Sequence, residues 1–279
     1  MEGHEHHHNH TIDRLNKAFL IGIGLNLVFV LIEAGAGFYL ESLALLSDAG
    51  HNLSDVVSLI LALLAFRLAK VKPTAKYTYG YKKSTILVSL INACILLVAV
   101  GIILSESIKK LQHPQPIDGT AIAWVAGVGI LINAFTAYLF LKDKEKDLNV
   151  KGAYLHMAAD ALVSVGVVAS GIVIRYTGWY LIDPIIGIAI AIIILISTWD
   201  LLHDSLRLSL DGVPSGIDSI AIRKAILKGE PRITDIHHLH IWAISTTENA
   251  LTAHVVVSTT DRMEDIKCHI KDLLAHLNI

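Results

Sequence analysis

The chain has 279 residues, 53% of them hydrophobic and 17% charged, and its 19 glycines bring the apolar share to roughly 60%, against about 45–50% in ordinary soluble domains. Disorder, collagen-like repeats and a purely soluble enzyme are all disfavoured. The net charge of −2 and the lack of a basic block give no sign of a nucleic-acid partner. Six membrane helices of about 20 residues would use roughly 120 residues, leaving enough chain for one small soluble domain. Cys94 and Cys268 are too few and too far apart for a disulfide framework or a thiolate zinc site, and read as small buried hydrophobes. Residues 1–16 are polar and His-rich, and no small-residue cleavage motif follows the first apolar run, so a cleavable signal peptide is not expected.

In chain order, apolar runs of spanning length occur at about 18–40, 43–66, 84–108, 120–141, 153–175 and 181–202, joined by short polar connections. Six spans put both ends of the chain on one side. Arg14 and Lys17 precede the first run, Arg67, Lys70, Lys72, Lys76, Lys82 and Lys83 separate the second from the third, and Lys142, Lys144, Lys146 and Lys151 separate the fourth from the fifth. The opposite loops offer little beyond Lys109, Lys110 and Arg175. The positive-inside rule therefore makes both termini cytoplasmic, in a multi-pass protein of an inner or plasma membrane.

After Asp211-Gly212-Val213-Pro214 the charge density returns to that of a soluble protein. The chain thus divides into a His-rich cytoplasmic tail at 1–16, a transmembrane domain at 17–211 and a cytoplasmic domain at 212–279. In the last, residues 217–228 read as an amphipathic helix, 234–244 and 250–258 as strands, and 262–277 as a second helix. A two-stranded hairpin is marginal alone, so the helices must cover it. A third strand after Ile279 would complete a small α+β sandwich, as if the chain were truncated there.

Ionisable groups inside a membrane span are costly and therefore functional candidates. The second run places His51 and Asp55 four residues apart, and the fifth places His156 and Asp160 at the same spacing. On a helix that spacing puts both side chains on one face, about 6 Å apart along the axis. Two such helices facing each other can close a tetrahedral site of two imidazoles and two carboxylates, which suits Zn(II) and also tolerates Co(II), Cd(II) or Ni(II). The lack of thiolates argues against Cu(I), and imidazole argues against a dedicated Mg(II) or Ca(II) cage. Asp48, one turn before His51, fits either a proton station or a helix cap, and Asn26, Glu33, Asn92 and Asn133 read mainly as interhelical hydrogen-bonding groups.

Residues 42–55, Ser-Leu-Ala-Leu-Leu-Ser-Asp-Ala-Gly-His-Asn-Leu-Ser-Asp, the His156/Asp160 pair, and Ile236-His237-His238-Leu239-His240-Ile241-Trp242 together resemble the cation diffusion facilitator family of zinc transporters, in its bacterial zinc-efflux branch. The resemblance runs from about Lys17 to Ile279. It implies a homodimer in the lipid bilayer, six transmembrane helices per subunit, a ferredoxin-like cytoplasmic domain, and exchange of a divalent metal ion for protons. Carried over residue by residue, the transport site is His51, Asp55, His156 and Asp160. His237, His254 and His269 match positions that bind metal in several relatives, where further ligands come from a segment beyond Ile279. His238 and His240 should alternate onto the strand face opposite His237, and surface or dimer-contact histidine is the competing reading.

Some relatives hold a second metal between spans two and three through an Asp and two His. The matching stretch, Thr74-Ala75-Lys76-Tyr77-Thr78-Tyr79-Gly80-Tyr81, has none of these, and no metal is expected there. Lys83 and Asp211 match a family pair that ties the dimer halves together. The tract Gly3-His4-Glu5-His6-His7-His8-Asn9-His10 can gather metal ions by weak chelation, which assigns it a delivery role at most. The expectation is a proton-coupled zinc exporter working by alternating access, with zinc as cargo and also as a regulatory ligand. Its alternatives are export of cadmium, cobalt or nickel, a non-transporting metal sensor, and an intramembrane metallohydrolase, which would need a His-Glu-x-x-His motif that the chain lacks.

Overall fold

Long apolar runs with little charge favour uninterrupted helices, because a helix satisfies its own backbone hydrogen bonds where water is absent. The computed structural model, which describes residues 5–39, 43–112, 120–179 and 181–277, is built this way. Six long helices come first: α1 (Glu5–Tyr39), α2 (Leu43–Ala69), α3 (Ser84–Gln112), α4 (Thr120–Leu141), α5 (Leu148–Thr177) and α6 (Ile182–Ser209). Each covers one of the apolar runs. Among the described residues, Lys17–Gly35, Ser84–Gln112 and Pro184–Ser209 are long and apolar enough to cross a membrane. Because α1 begins at Glu5, most of the His-rich tract continues that helix, and its side chains lie outside the described residues.

The helices pack in pairs, α1 along α2, α3 along α6 and α4 along α5, while α5 also meets α2, α3 and α6. Phe19 of α1, Leu59 of α2, Phe140 of α4, and Val150 and Met157 of α5 form one core, with the Phe19 and Phe140 rings 4.7 Å apart. A second core joins Val100 of α3 and Ala159 of α5 to Ile190, Ala191 and Ile194 of α6. Gly166 permits this close approach, because a Cβ there would lie 2.3 Å from the Ile190 side chain. Of the polar groups expected to bond between helices, Asn26 and Glu33 do so. The Asn26 amide donates to Thr136 Oγ1 of α4 at 3.4 Å, and the Asn52 amide donates to Glu33 Oε2 at 2.6 Å, linking α2 to α1.

The outward faces carry the large apolar side chains, among them Leu31, Val98, Leu131 and Ile196. Cys94 sits on such a face of α3 and Cys268 on the wet face of α8, so both are exposed rather than buried. Helical phase explains the difference for Cys94: its neighbours Asn92, Ala93 and Leu96 take the inward positions.

Beyond α6 the chain forms α7 (Ser219–Gly229), β1 (Ile233–Ala243), β2 (Asn249–Val257) and α8 (Met263–His276), the expected α-β-β-α order. Asp218 caps α7, accepting from Ile220 N at 2.8 Å. The strands pair antiparallel in a two-stranded sheet. Its cover is a cluster of isoleucines, Ile222 and Ile226 of α7, Ile233, Ile236 and Ile241 of β1, and Ile266 of α8. Truncating Ile226, which is 2% exposed, to Ala should cost about 2–5 kcal/mol of domain stability through lost burial and a residual cavity. Chemical denaturation followed by Trp242 fluorescence checks this, and an unchanged midpoint would show that the isoleucine cluster does not hold the domain together.

Candidate metal centre

The centre is assembled from α2 and α5, which cross within the bundle. Asp55 lies one turn after His51 on α2, and His156 and Asp160 lie one turn apart on α5. Neither helix breaks at these residues, so the four-residue spacing keeps each pair on one helical face. Asp55 is fully buried, His156 is buried and Asp160 is partly buried.

His156 Nε2 is 2.6 Å from Asp55 Oδ1 and 4.0 Å from Asp160 Oδ2. One ligand atom from each of the three lies within 4.8 Å of the others. The second Asp55 oxygen is buried without a hydrogen-bond partner among the described residues. A proton and a metal cation compete for the same lone pairs of such an imidazole–carboxylate pair. His51 is on α2, but its side chain and that of Asp48 lie outside the described residues.

A second cluster stands on the β1–β2 hairpin. His237 pairs with His254 across the sheet, as their register requires, but the next pair is His240 with Thr252, so β1 carries one extra residue there. His238 takes up this bulge with a φ of 51°, in the left-handed region. Strict alternation predicts His238 on the opposite face, and the bulge overturns that prediction. Its ring lies 5.2 Å from that of His237 and 5.0 Å from that of His254, and ligand atoms of all three lie within 4.8 Å of one another. All three rings are exposed. No sequence signal announces the bulge, since glycine is the residue that favours such a backbone.

His269 stands apart from this triplet, with Nδ1 3.1 Å from Glu230 Oε2. Arg232 clasps the same carboxylate through Nε and a terminal guanidinium nitrogen, each at 2.7 Å. Hydrogen bonds from Arg232 first and His269 second pull the Glu230 carboxyl down to about 2. The loop carrying Tyr77, Tyr79 and Tyr81 contributes to neither candidate metal cluster. The Lys83 ammonium pairs with the Asp211 carboxylate, closing the junction between the α3 entrance and the end of α6.

Residues 19–208 match the family description "Cation efflux transmembrane domain", and residues 214–277 match "Cation efflux protein, cytoplasmic domain". The cadmium, cobalt and zinc/H(+)-K(+) antiporter of Bacillus subtilis is 38% identical over 277 residues, spanning 98% of this chain and 89% of that protein. The metal cation efflux system protein CzcD of Cupriavidus metallidurans is 38% identical over 98% of this chain and 85% of its own length. The zinc transporter ZitB of Escherichia coli is 36% identical over 90% of this chain and 82% of its own length.

Because the folded Glu230 carboxyl is depressed from 4.5 to about 2, its contribution to stability is fully present above pH 4.5 and is lost as the pH falls through about 2. Glu230→Gln should therefore weaken the cytoplasmic domain at pH 7 and flatten its loss of stability between those limits. Parallel melting curves of the two proteins across that range are the check, and equal slopes would remove Glu230 from the acid response.

Proposed function

The chain belongs to the cation efflux family of metal transporters, and from that premise we propose that it exports zinc from the cytoplasm in exchange for protons by alternating access. It is a transporter rather than an enzyme, as its relatives are. The observation that carries the finer reading is the convergence of Asp55, His156 and Asp160 from two helices in the bundle interior. With His51 on the same face of α2 as Asp55, the set becomes two nitrogens and two oxygens, the donor number and type of a tetrahedral zinc site.

The six long helices between residues 17 and 211 are read as six spans, with 212–279 forming a ferredoxin-like cytoplasmic domain in a homodimer and both termini in the cytoplasm of a bacterial cell. The polar crossings of the bundle and the apolar outward faces support this arrangement. Export of cadmium or cobalt by the same machinery is the second reading. It draws on the relatives whose names carry those metals, and nitrogen and carboxylate donors separate such ions poorly.

Proton exchange follows from ligand chemistry. Zinc requires neutral imidazole and ionised carboxylate, so acidification expels the metal and cytoplasmic pH readmits it. In proteoliposomes with the acidic side opposite the cytoplasmic domain, zinc should move toward that side while protons move the other way. Asp55→Ala and Asp160→Ala should each abolish that flux, at least a hundredfold, with the dimer intact. Normal flux in either variant would dismantle the shared site, and flux blind to the gradient would make the protein a uniporter.

His237, His238 and His254 form a separate, solvent-facing cluster on the hairpin, which we assign to regulatory or buffering contact with zinc rather than to passage. His269 is read as a structural partner of Glu230. His238→Ala should lower the zinc held by the cytoplasmic domain by about one ion per subunit while the intramembrane site keeps its own. Unchanged stoichiometry by metal analysis would refute the role of the bulge.

A further inference from the structure

The β1–β2 hairpin tip, Ile244–Glu248, meets the cytoplasmic ends of the bundle at an unusually polar junction. Asp147, the last residue before α5, is 5% exposed. Its Oδ1 accepts from Asn149 N at 2.7 Å and Val150 N at 3.2 Å, capping the first turn of α5. Its Oδ2 accepts from the Thr246 hydroxyl at the hairpin tip. Thr246 N in turn donates to Thr85 Oγ1 of α3 at 3.1 Å, and Lys82 pairs with Glu248.

An apolar cluster backs this polar seam. Ala243 at the end of β1 packs with Ile86 of α3 and Leu208 of α6, and Leu148 of α5 leans against them. The tip itself is shaped internally, since the buried Ser245 hydroxyl accepts from Glu248 N at 2.9 Å and Thr247 N at 3.1 Å. One carboxylate therefore belongs at once to the start of α5 and to the cytoplasmic hairpin. Burial raises its pKa despite these three hydrogen bonds. A cap in water would not carry that electrostatic cost.

From Asp147, α5 runs nine residues to His156, about 13 Å along the axis at the helical rise. No break intervenes, so displacement at the cap is transmitted to the imidazole as rigid-body movement of α5. We propose that Asp147 is a positioning residue for transport: through Thr246 it fastens the N-terminus of the metal-bearing helix to the cytoplasmic hairpin, so that the cytoplasmic domain sets where His156 and Asp160 stand relative to Asp55. The proposal rests on reading those three residues as the transport site.

The test uses the full-length protein in proteoliposomes, with zinc as the probe. Thr246→Val removes the hydroxyl that reaches Asp147 and leaves the Asp147 cap on Asn149 and Val150 in place. It should lower maximal zinc flux per folded transporter about fivefold or more and speed amide hydrogen exchange across residues 148–152. Thr246→Ser, which keeps the hydroxyl, should restore both. A purely structural bond would shift the melting temperature and leave the flux of the folded protein unchanged, and that result overturns the proposal. The same holds if Thr246→Ser fails to rescue.

His156→Ala is measured alongside. If it transports zinc normally, the site reading fails, whereas the Thr246 variants still report whether the hairpin governs flux through α5. Loss of flux in His156→Ala together with normal flux in Thr246→Val keeps the site and removes the fastening.

Discussion

A carboxylate and an imidazole 2.6 Å apart inside an apolar helix bundle set the terms for everything around them. Neither Asp55 nor His156 can be left alone there, because an unpaired buried charge costs several kcal/mol, roughly 3–5 when one partner of such a pair is removed. Without a metal ion the two share a hydrogen bond. A metal ion held there, as proposed, would take over the same lone pairs. The bundle must therefore hold α2 and α5 close enough for that exchange, and its packing shows how. Met157 and Ala159, which lie between His156 and Asp160, are buried in the two separate helix cores, so α5 is gripped from two directions at the site.

The grip is apolar and close, but it is interrupted by polar groups at chosen depths. Asn26, Glu33 and Asn52 bind helices to one another where water is excluded, and each hydrogen bond also fixes rotation about a helix axis. Glycine serves the same end at Gly166, where only the missing Cβ admits the Ile190 side chain. Closeness between α5 and α6 is thus built into residue size.

At the cytoplasmic end the constraint changes character. There the bundle is joined to a small domain whose two-stranded sheet needs α7 and α8 to cover it. The junction is polar and networked: Lys82 with Glu248, Lys83 with Asp211, and Asp147 with Thr246. Exposed pairs of this kind contribute little individually. Asp147 differs because it is buried and because its second oxygen caps the helix that carries His156. The hairpin has the histidine triplet on its strands and this junction at its tip, so one element spans both.

Much of this was written in local pattern. Helix number and extent followed from apolar runs of spanning length, the α-β-β-α order from a change of periodicity after Pro214, and the two candidate pairs from a four-residue spacing that any helix converts into one face. Those features depend only on neighbours along the chain. What the tertiary structure decided depends on partners far away in sequence. Alternation placed His238 away from His237, and a bulge, set by pairing with β2, brought it round to His254. Composition read Cys94 as buried, and the packing phase of α3 turned it outward. The family resemblance marked His269 as a metal candidate, and the fold set it against the Glu230 carboxylate that Arg232 also holds. Asp147 reads in sequence as one member of a simply charged loop, Lys142-Asp143-Lys144-Glu145-Lys146-Asp147, and only the approach of Thr246 from ninety-nine residues away makes it a joint. Periodicity acts through the backbone and is legible in a string of letters, whereas register, helix phase and long-range hydrogen bonds exist only once the chain has closed on itself.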